Sequence, residues 1–340
     1  MARSDLLLNL VKAGSAGDAP MFQRTVEAIV AEERAKQHNV LAEQLERAVT
    51  HPKTNGHHNS PSVPRDGLQR ARDFVLEVTP RRRLDELVLP DLARLAARQL
   101  IEEQQRASLL RSHSLEPRNR LLLVGPPGNG KTTLAEAIAE SLAVPFFVVR
   151  YESVIGSYLG ETAARLKRVF EFARTTPSVL FFDEFDTVGK ERGDRHETGE
   201  IKRVVSSLLM QIDELPSYVV VVAATNHAEL LDRAVWRRFQ LRLNLPLPTR
   251  QQLTDFVASL ANRNGVNLGI SASQVSQAIG RVSYSEAEEF FLDLARQQVL
   301  SLGERTPAAI AKEQMKIWSA RVQNKTSNNN GAKRAGTSTT

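Results

Sequence analysis

"GPPGNGKT", Gly125–Thr132, is the stretch that decides how this chain is read. It fits G-x-x-x-x-G-K-[ST], the pattern of a loop that wraps phosphate oxygens. Glycines let backbone N–H groups turn inward around an anion. The helix that follows such a loop adds the positive end of its dipole. The flanks have the order that this chemistry needs. The apolar run "LLLV" (121–124) reads as a strand, and "KTTLAEAIAESLA" from Lys131 reads as a helix. Gly125, Pro126, Pro127, Gly128, Asn129, Gly130, Lys131, Thr132 and Thr133 are therefore expected to hold a nucleotide. Lys131 should reach the β- and γ-phosphates, and the Thr132 hydroxyl should bind Mg²⁺.

"VLFFDEFD" (Val179–Asp186) supplies the second half. Four apolar residues make a buried strand, and acids appear as it ends. In an open α/β sheet, ligands sit at the carboxyl ends of the strands. Asp183 is thus placed to hold Mg²⁺, and Glu184 to polarise the attacking water as general base. Phe185 and Asp186 carry no firm assignment, and Asp186 could be only a turn residue. "VVVVAATN" ends another strand at Thr225 and Asn226, where the Asn226 amide could orient water and sense the γ-phosphate.

Further apolar runs, "PFFVV" (145–149), "YVVVVAA" (218–224) and "LRLNL" (241–245), alternate with helical stretches such as "AARLKRVFEFAR". Continuous apolar strands alternating with helices predict a parallel sheet covered on both faces. After "PLPTR" (246–250) the pattern is all-helical to about Ala320. Upstream, Phe22, Val26, Ile29 and Val30 fall at helical spacing, with Asp18 and Pro20 as a start signal, and Val40, Leu41 and Leu45 continue the stripe. "THPKTNGHHNSPSVPRDG" (50–67) is linker-like, and its His57 and His58 read as a solvated loop. The expected organisation is a helical N-terminal domain (1–50), a linker (51–67), a large α/β domain (68–246), a small helical domain (247–320) and a disordered basic tail (321–340).

Composition narrows the function classes. With 41% hydrophobic and 25% charged residues the chain resembles ordinary globular proteins, and no apolar run has the length of a membrane span. A cytoplasmic location is the default expectation. The absence of cysteine excludes disulfides and thiolate metal sites. The net charge of +6 could suggest nucleic acid, but Arg321, Lys325, Lys333 and Arg334 in the acid-free tail carry +4 of it. The near-neutral remainder makes a nucleic-acid partner a poor expectation.

Taken together, "GPPGNGKTT", "SYLGE", "FFDEFD", "AATN" and "LDRAVWRRF" resemble the AAA+ ATPases, specifically the AAA subgroup of protein unfoldases and remodelers. The resemblance runs from about Leu84 to about Leu294. It implies a P-loop module hydrolysing ATP with Mg²⁺, built on a five-stranded parallel sheet of order 5-1-4-3-2 with a small helical lid domain. It implies a homo-oligomeric ring, most often of six subunits, in which Arg237 and Arg238 reach the γ-phosphate of the neighbour. It places the backbone of Val88 against adenine. It also matches Tyr158, Leu159 and Gly160 to a loop that grips a threaded polypeptide, and sets Arg195 and His196 near a second such loop. In "SYSEAEEF" (283–290), Glu286 stands where relatives carry glycine, which leaves base and ribose contacts open. "MARSDLL" and "EERAKQHNVLAEQL" look like bacterial AAA ATPases paired with subtilisin-like serine proteases in phage defence. Two functions remain open on this reading. One is an unfoldase that threads protein substrates. The other is an ATP-dependent switch that activates a partner enzyme by assembly, without threading.

Overall fold

The computed structural model describes residues 19–35, 73–154, 159–186 and 198–335. The chain divides into two compact units, Met1–Ser62 and Val63–Thr340. In the first, the described residues form one helix, α1 (Ala19–Ala35), which buries Val26, Ile29 and Val30 as their spacing predicts. Val40, Leu41, Leu45, the linker residues 51–67, Tyr158, Arg195 and His196 lie outside the described residues.

The second unit opens with β1 (Val75–Val78), α2 (Asp91–Gln105), α3 (Ala107–Ser112), β2 (Arg120–Val124), α4 (Lys131–Leu142) and β3 (Phe146–Val149). It continues with α5 (Tyr151–Val154), α6 (Leu159–Ala173), β4 (Ser178–Phe182), α7 (Thr198–Asp213), β5 (Val219–Thr225), α8 (Arg233–Arg238) and β6 (Leu241–Asn244). The sheet order is β1-β3-β4-β5-β2-β6. Strands β2 to β6 are mutually parallel. Numbered among themselves, they run in the expected order 5-1-4-3-2. The sixth strand, β1, was not anticipated. It pairs antiparallel with β3, from Val75 opposite Val149 to Val78 opposite Phe146. Its sequence "VLEV" has no continuous apolar run, because at this edge only the strand's ends are covered: Val75 is buried and Val78 half-buried, and Leu76 is 52% exposed.

The central strand β5 is buried along its whole length, since helices cover both faces of the sheet. Strand periodicity sends alternate side chains to opposite layers. Leu122, Leu180, Phe182, Val221 and Ala223 share one core with Val169 and Phe170 of α6 and Leu208 and Ile212 of α7. Leu121, Leu123, Phe181, Val220 and Val222 share the other with Ala97 and Leu100 of α2 and Leu134 and Ile138 of α4. This double cover fixes the strand ends where the loops converge.

The small domain contains α9 (Arg250–Asn264), α10 (Ala272–Ile279), α11 (Tyr284–Leu300) and α12 (Pro307–Ala335). Three of its helices start on capping boxes, Thr249 with Gln252, Ser271 with Gln274 and Ser283 with Glu286. Its core includes Leu253, Val257, Val275, Phe290, Phe291 and Trp318. The last helix continues to Ala335, where a disordered tail was expected from 321. No proline interrupts it after Pro307. At the expected boundary Arg321 pairs with Glu289 at 2.8 Å and lies over the Trp318 ring. Among the described residues no helix is long and apolar enough to cross a membrane.

Candidate functional site

The loop between β2 and α4 begins where two backbones nearly touch. A Cβ on Gly125 would lie 2.1 Å from the carbonyl oxygen of Leu245, just beyond β6, and the Gly125 φ is 153°. The Gly125 N–H donates to Thr225 O at 3.2 Å, so the loop is sewn to β5 as well. The atoms a side chain would meet here are backbone atoms of Leu245, which cannot swing away. Gly125→Ala is therefore expected to destabilise the fold by about 3 kcal/mol or more. Chemical unfolding of the two proteins measures this, and coincident transitions would contradict the close approach. Pro126 and Pro127 are exposed, whereas Asn129 is buried and donates from Nδ2 to Leu245 O at 3.4 Å. Gly130 takes the left-handed conformation before the first turn of α4.

Lys131 opens α4 and is buried. Its ammonium donates to Gly125 O at 2.8 Å, Pro126 O at 3.0 Å and the Asn226 side-chain oxygen at 2.7 Å. Burial pushes this ammonium below the usual lysine range, against the opposing pull of Asp183 and Asp186. Lys131 and Asn226, 95 residues apart, thus meet at the carboxyl ends of adjacent strands. Thr132 is exposed beside them and Thr133 is half-buried.

At the end of β4 the chain makes a strained exit. Glu184 has φ 45°, a left-handed conformation that is costly for any residue with a side chain. Its N–H donates to the Asp183 carboxylate at 2.9 Å. Phe185 turns back into the core, edge-on to Phe182 and Phe239. Asp186, which by sequence could be only a turn residue, is buried and accepts a 2.8 Å hydrogen bond from the Thr225 hydroxyl. That hydroxyl in turn accepts from the His227 N–H at 3.0 Å. Asp186 therefore ties the ends of β4 and β5 together. Among the described residues no three His, Cys, Asp or Glu groups could hold a metal. The Thr132 hydroxyl and Asp183 carboxylate are oxygen donors of the kind Mg²⁺ accepts when phosphates and water complete its shell.

Arg237 and Arg238 end α8, and both are exposed. They differ in what they touch. Arg238 Nε sits 2.6 Å from Asp213, whose other oxygen takes Arg120. Arg237 has no ion pair or side-chain hydrogen bond among the described residues.

A cleft of about 120 Å³ extends from the loop to the small domain. Leu87, Val88 and Leu89 form one wall, Gly128, Asn129, Gly130 and Thr133 the floor, and Phe256 and Tyr284 the facing side. The Phe256 and Tyr284 rings meet edge-on at 4.9 Å, and burial raises the Tyr284 hydroxyl to about 12. Glu286 does not line this cleft. Its carboxylate turns back to the Ser283 N–H at 3.0 Å as the partner in the capping box, which gives the glutamate a local reason. Ser285 N–H donates to Gly128 O at 3.0 Å, so the start of α11 rests on the phosphate loop.

The model of the AAA family, "ATPase family associated with various cellular activities", matches residues 121–247. An AAA family ATPase of Sinorhizobium fredii, y4kL, is 36% identical over 294 residues, covering 85% of this chain and 87% of its own. The chain belongs to the AAA family of ATPases. Peroxisomal ATPase PEX6 of Pichia angusta is 34% identical over 212 residues, or 59% of this ATPase, which spans 18% of that relative's length. The crystal structure of the FIGL-1 AAA domain superposes with a TM-score of 0.57, covering 78% of this chain and 98% of that one. At 20% identity, that likeness speaks to the fold alone.

Membership makes this protein an ATP-hydrolysing enzyme; in its structure the phosphate-type loop, Lys131, Asn226, Asp183 and Asp186 converge. The sequence did not announce the anchoring of Asp186 or the link from Arg238 through Asp213 to Arg120. Both depend on partners far away in the chain.

Proposed function

We propose that this ATPase works as a ring, of six subunits, that uses MgATP hydrolysis to thread or remodel protein substrates. The observation that carries the chemistry is the convergence of Lys131 and Asn226 at 2.7 Å beside the acids that end β4. Lys131, released from the loop carbonyls, binds the β- and γ-phosphates. Thr132 and Asp183 hold Mg²⁺, which supplies charge neutralisation at the transferring phosphoryl group. Glu184 accepts a proton from the attacking water, and the Asn226 side-chain nitrogen orients that water. Arg237 and Arg238 act on the neighbour's γ-phosphate. The Val88 backbone meets the adenine.

The nucleotide chemistry leaves Tyr158, Leu159 and Gly160 without a task. We assign them to the substrate, with Tyr158 as an aromatic wedge that holds many polypeptides without reading sequence. The proposed partner is a subtilisin-like serine protease on a separate chain, in phage defence. Its support is the N-terminal sequence, and its test is co-purification with the Glu184→Gln variant.

Threading is tested by comparing protein-remodelling output per ATP hydrolysed. Tyr158→Ala is expected to lower that ratio at least about tenfold, and Tyr158→Phe to keep it. An unchanged ratio in Tyr158→Ala would sink threading and favour the assembly switch.

A further inference from the structure

Three successive arginines, Arg81, Arg82 and Arg83, precede the segment that walls the cleft. The first two are fixed by their backbones. The N–H groups of Arg81 and Arg82 both donate to one carboxylate oxygen of Glu136, at 2.9 and 3.2 Å. Glu136 belongs to α4, the helix that Lys131 opens. The phosphate-loop helix therefore holds the arginine segment at a set height along its own axis. Arg82 is the member of the three that lines the cleft, together with Gly130 and Thr133.

Its guanidinium is uncommitted. Nearby arginines are spent on the protein itself: Arg94 donates to Leu87 O at 2.5 Å, and Arg98 pairs with Asp85 at 2.9 Å. Arg118 is paired with Glu103. Arg82 has no side-chain hydrogen bond or ion pair among the described residues. Glu86 and Glu288 line the same cleft and neither pairs with it. Half-buried, with five donors and no acceptor, it is a ready ligand for an anion that enters the cleft.

Position selects which anion. Leu87 and Val88 wall the base end of the cleft, and Lys131 marks the β,γ end of the phosphates. Gly130 and Thr133 line the same cleft and flank Lys131 at the first turn of α4, where helix N–H groups favour a phosphate. We propose that Arg82 is a ligand of the nucleotide's α-phosphate, held in place by Glu136. This deepens the nucleotide-site reading and rests on it. The contact is worth the same for a mono-, di- or triphosphate, so it strengthens binding of ATP and ADP alike.

Competition titrations of the full chain against a fluorescent ADP, using adenosine, AMP, ADP and ATP, test this. Arg82→Gln is expected to weaken AMP, ADP and ATP each by about tenfold and to leave adenosine unchanged. Arg82→Lys should recover part of the loss by charge. Glu136→Ala should reproduce part of it with the guanidinium intact. Wild-type affinities in Arg82→Gln overturn the proposal. So does an equal loss for adenosine, which would put the contact on the ribose or base, or a loss confined to ATP. A wild-type chain that binds none of the phosphorylated ligands overturns the nucleotide site itself.

Discussion

Arg237→Ala is expected to cut ATP turnover about 10³-fold while leaving ATP affinity close to that of the wild type. The affinity survives because every contact with ground-state nucleotide proposed above comes from the chain that holds it. The rate falls because charge develops on the γ-phosphoryl oxygens only in the transition state, and a guanidinium from the neighbour meets it there. Arg237, uncommitted among the described residues, is free to do so. Arg238 must first leave Asp213, so Arg238→Ala removes an internal tie as well as a candidate finger. That tie is exposed and adds little to stability. Mixing either variant with Lys131→Ala supplies the decisive measurement. Each alone should hydrolyse ATP only weakly, but some mixed interfaces combine an intact loop with an intact arginine, and turnover should rise well above that of either variant. Mixtures that stay inactive despite assembling would assign both arginines to structure.

Glu184→Gln is expected to bind ATP, remain assembled and hydrolyse about 10²- to 10⁴-fold more slowly. The substitution preserves length and shape, exchanges one acceptor oxygen for an NH2 donor, and leaves the backbone N–H free to keep its bond to Asp183. It removes the negative charge and with it the ability to take a proton. The left-handed backbone at this position is strain held at the point where the side chain leaves the sheet, a place where proteins store it for a purpose. Steady-state phosphate release alongside a nucleotide-binding isotherm separates the two effects. Rapid turnover would remove Glu184 from the role of base.

The parallel strands were legible because each is buried on both faces and so reads as an unbroken apolar run. Strand β1 was not, because an edge strand whose middle residues Leu76 and Glu77 are both exposed carries no such run. Lys131, Asn226 and Asp183 could be named because each stands in a local pattern at a strand end. The burial of Asp186 could not, since its partner Thr225 lies 39 residues away. The same limit applies to the arginine pair: adjacent and identical in sequence, they are distinguished by Asp213, 25 residues before Arg238. Glu286 is the opposite case. Its departure from the family's glycine left base contacts open, yet Ser283-x-x-Glu286 was a capping signal readable on the spot.

The hydrogen bond from Ser285 to Gly128 makes the phosphate loop the fulcrum of a lever. A Cβ on Gly128 would meet Ser283 Oγ at 2.9 Å and Ser285 Cβ at 3.0 Å, so there is no slack between the parts. The arm is α11, 17 residues and thus about 25 Å long. A tilt of about 5° at its foot carries its tip through about 2 Å. That tip bears Val299, Leu300 and Leu302, all strongly exposed, the last at 88%. A sub-ångström shift of the phosphate loop would, through such an arm, become a larger travel of an apolar knob on the molecular surface.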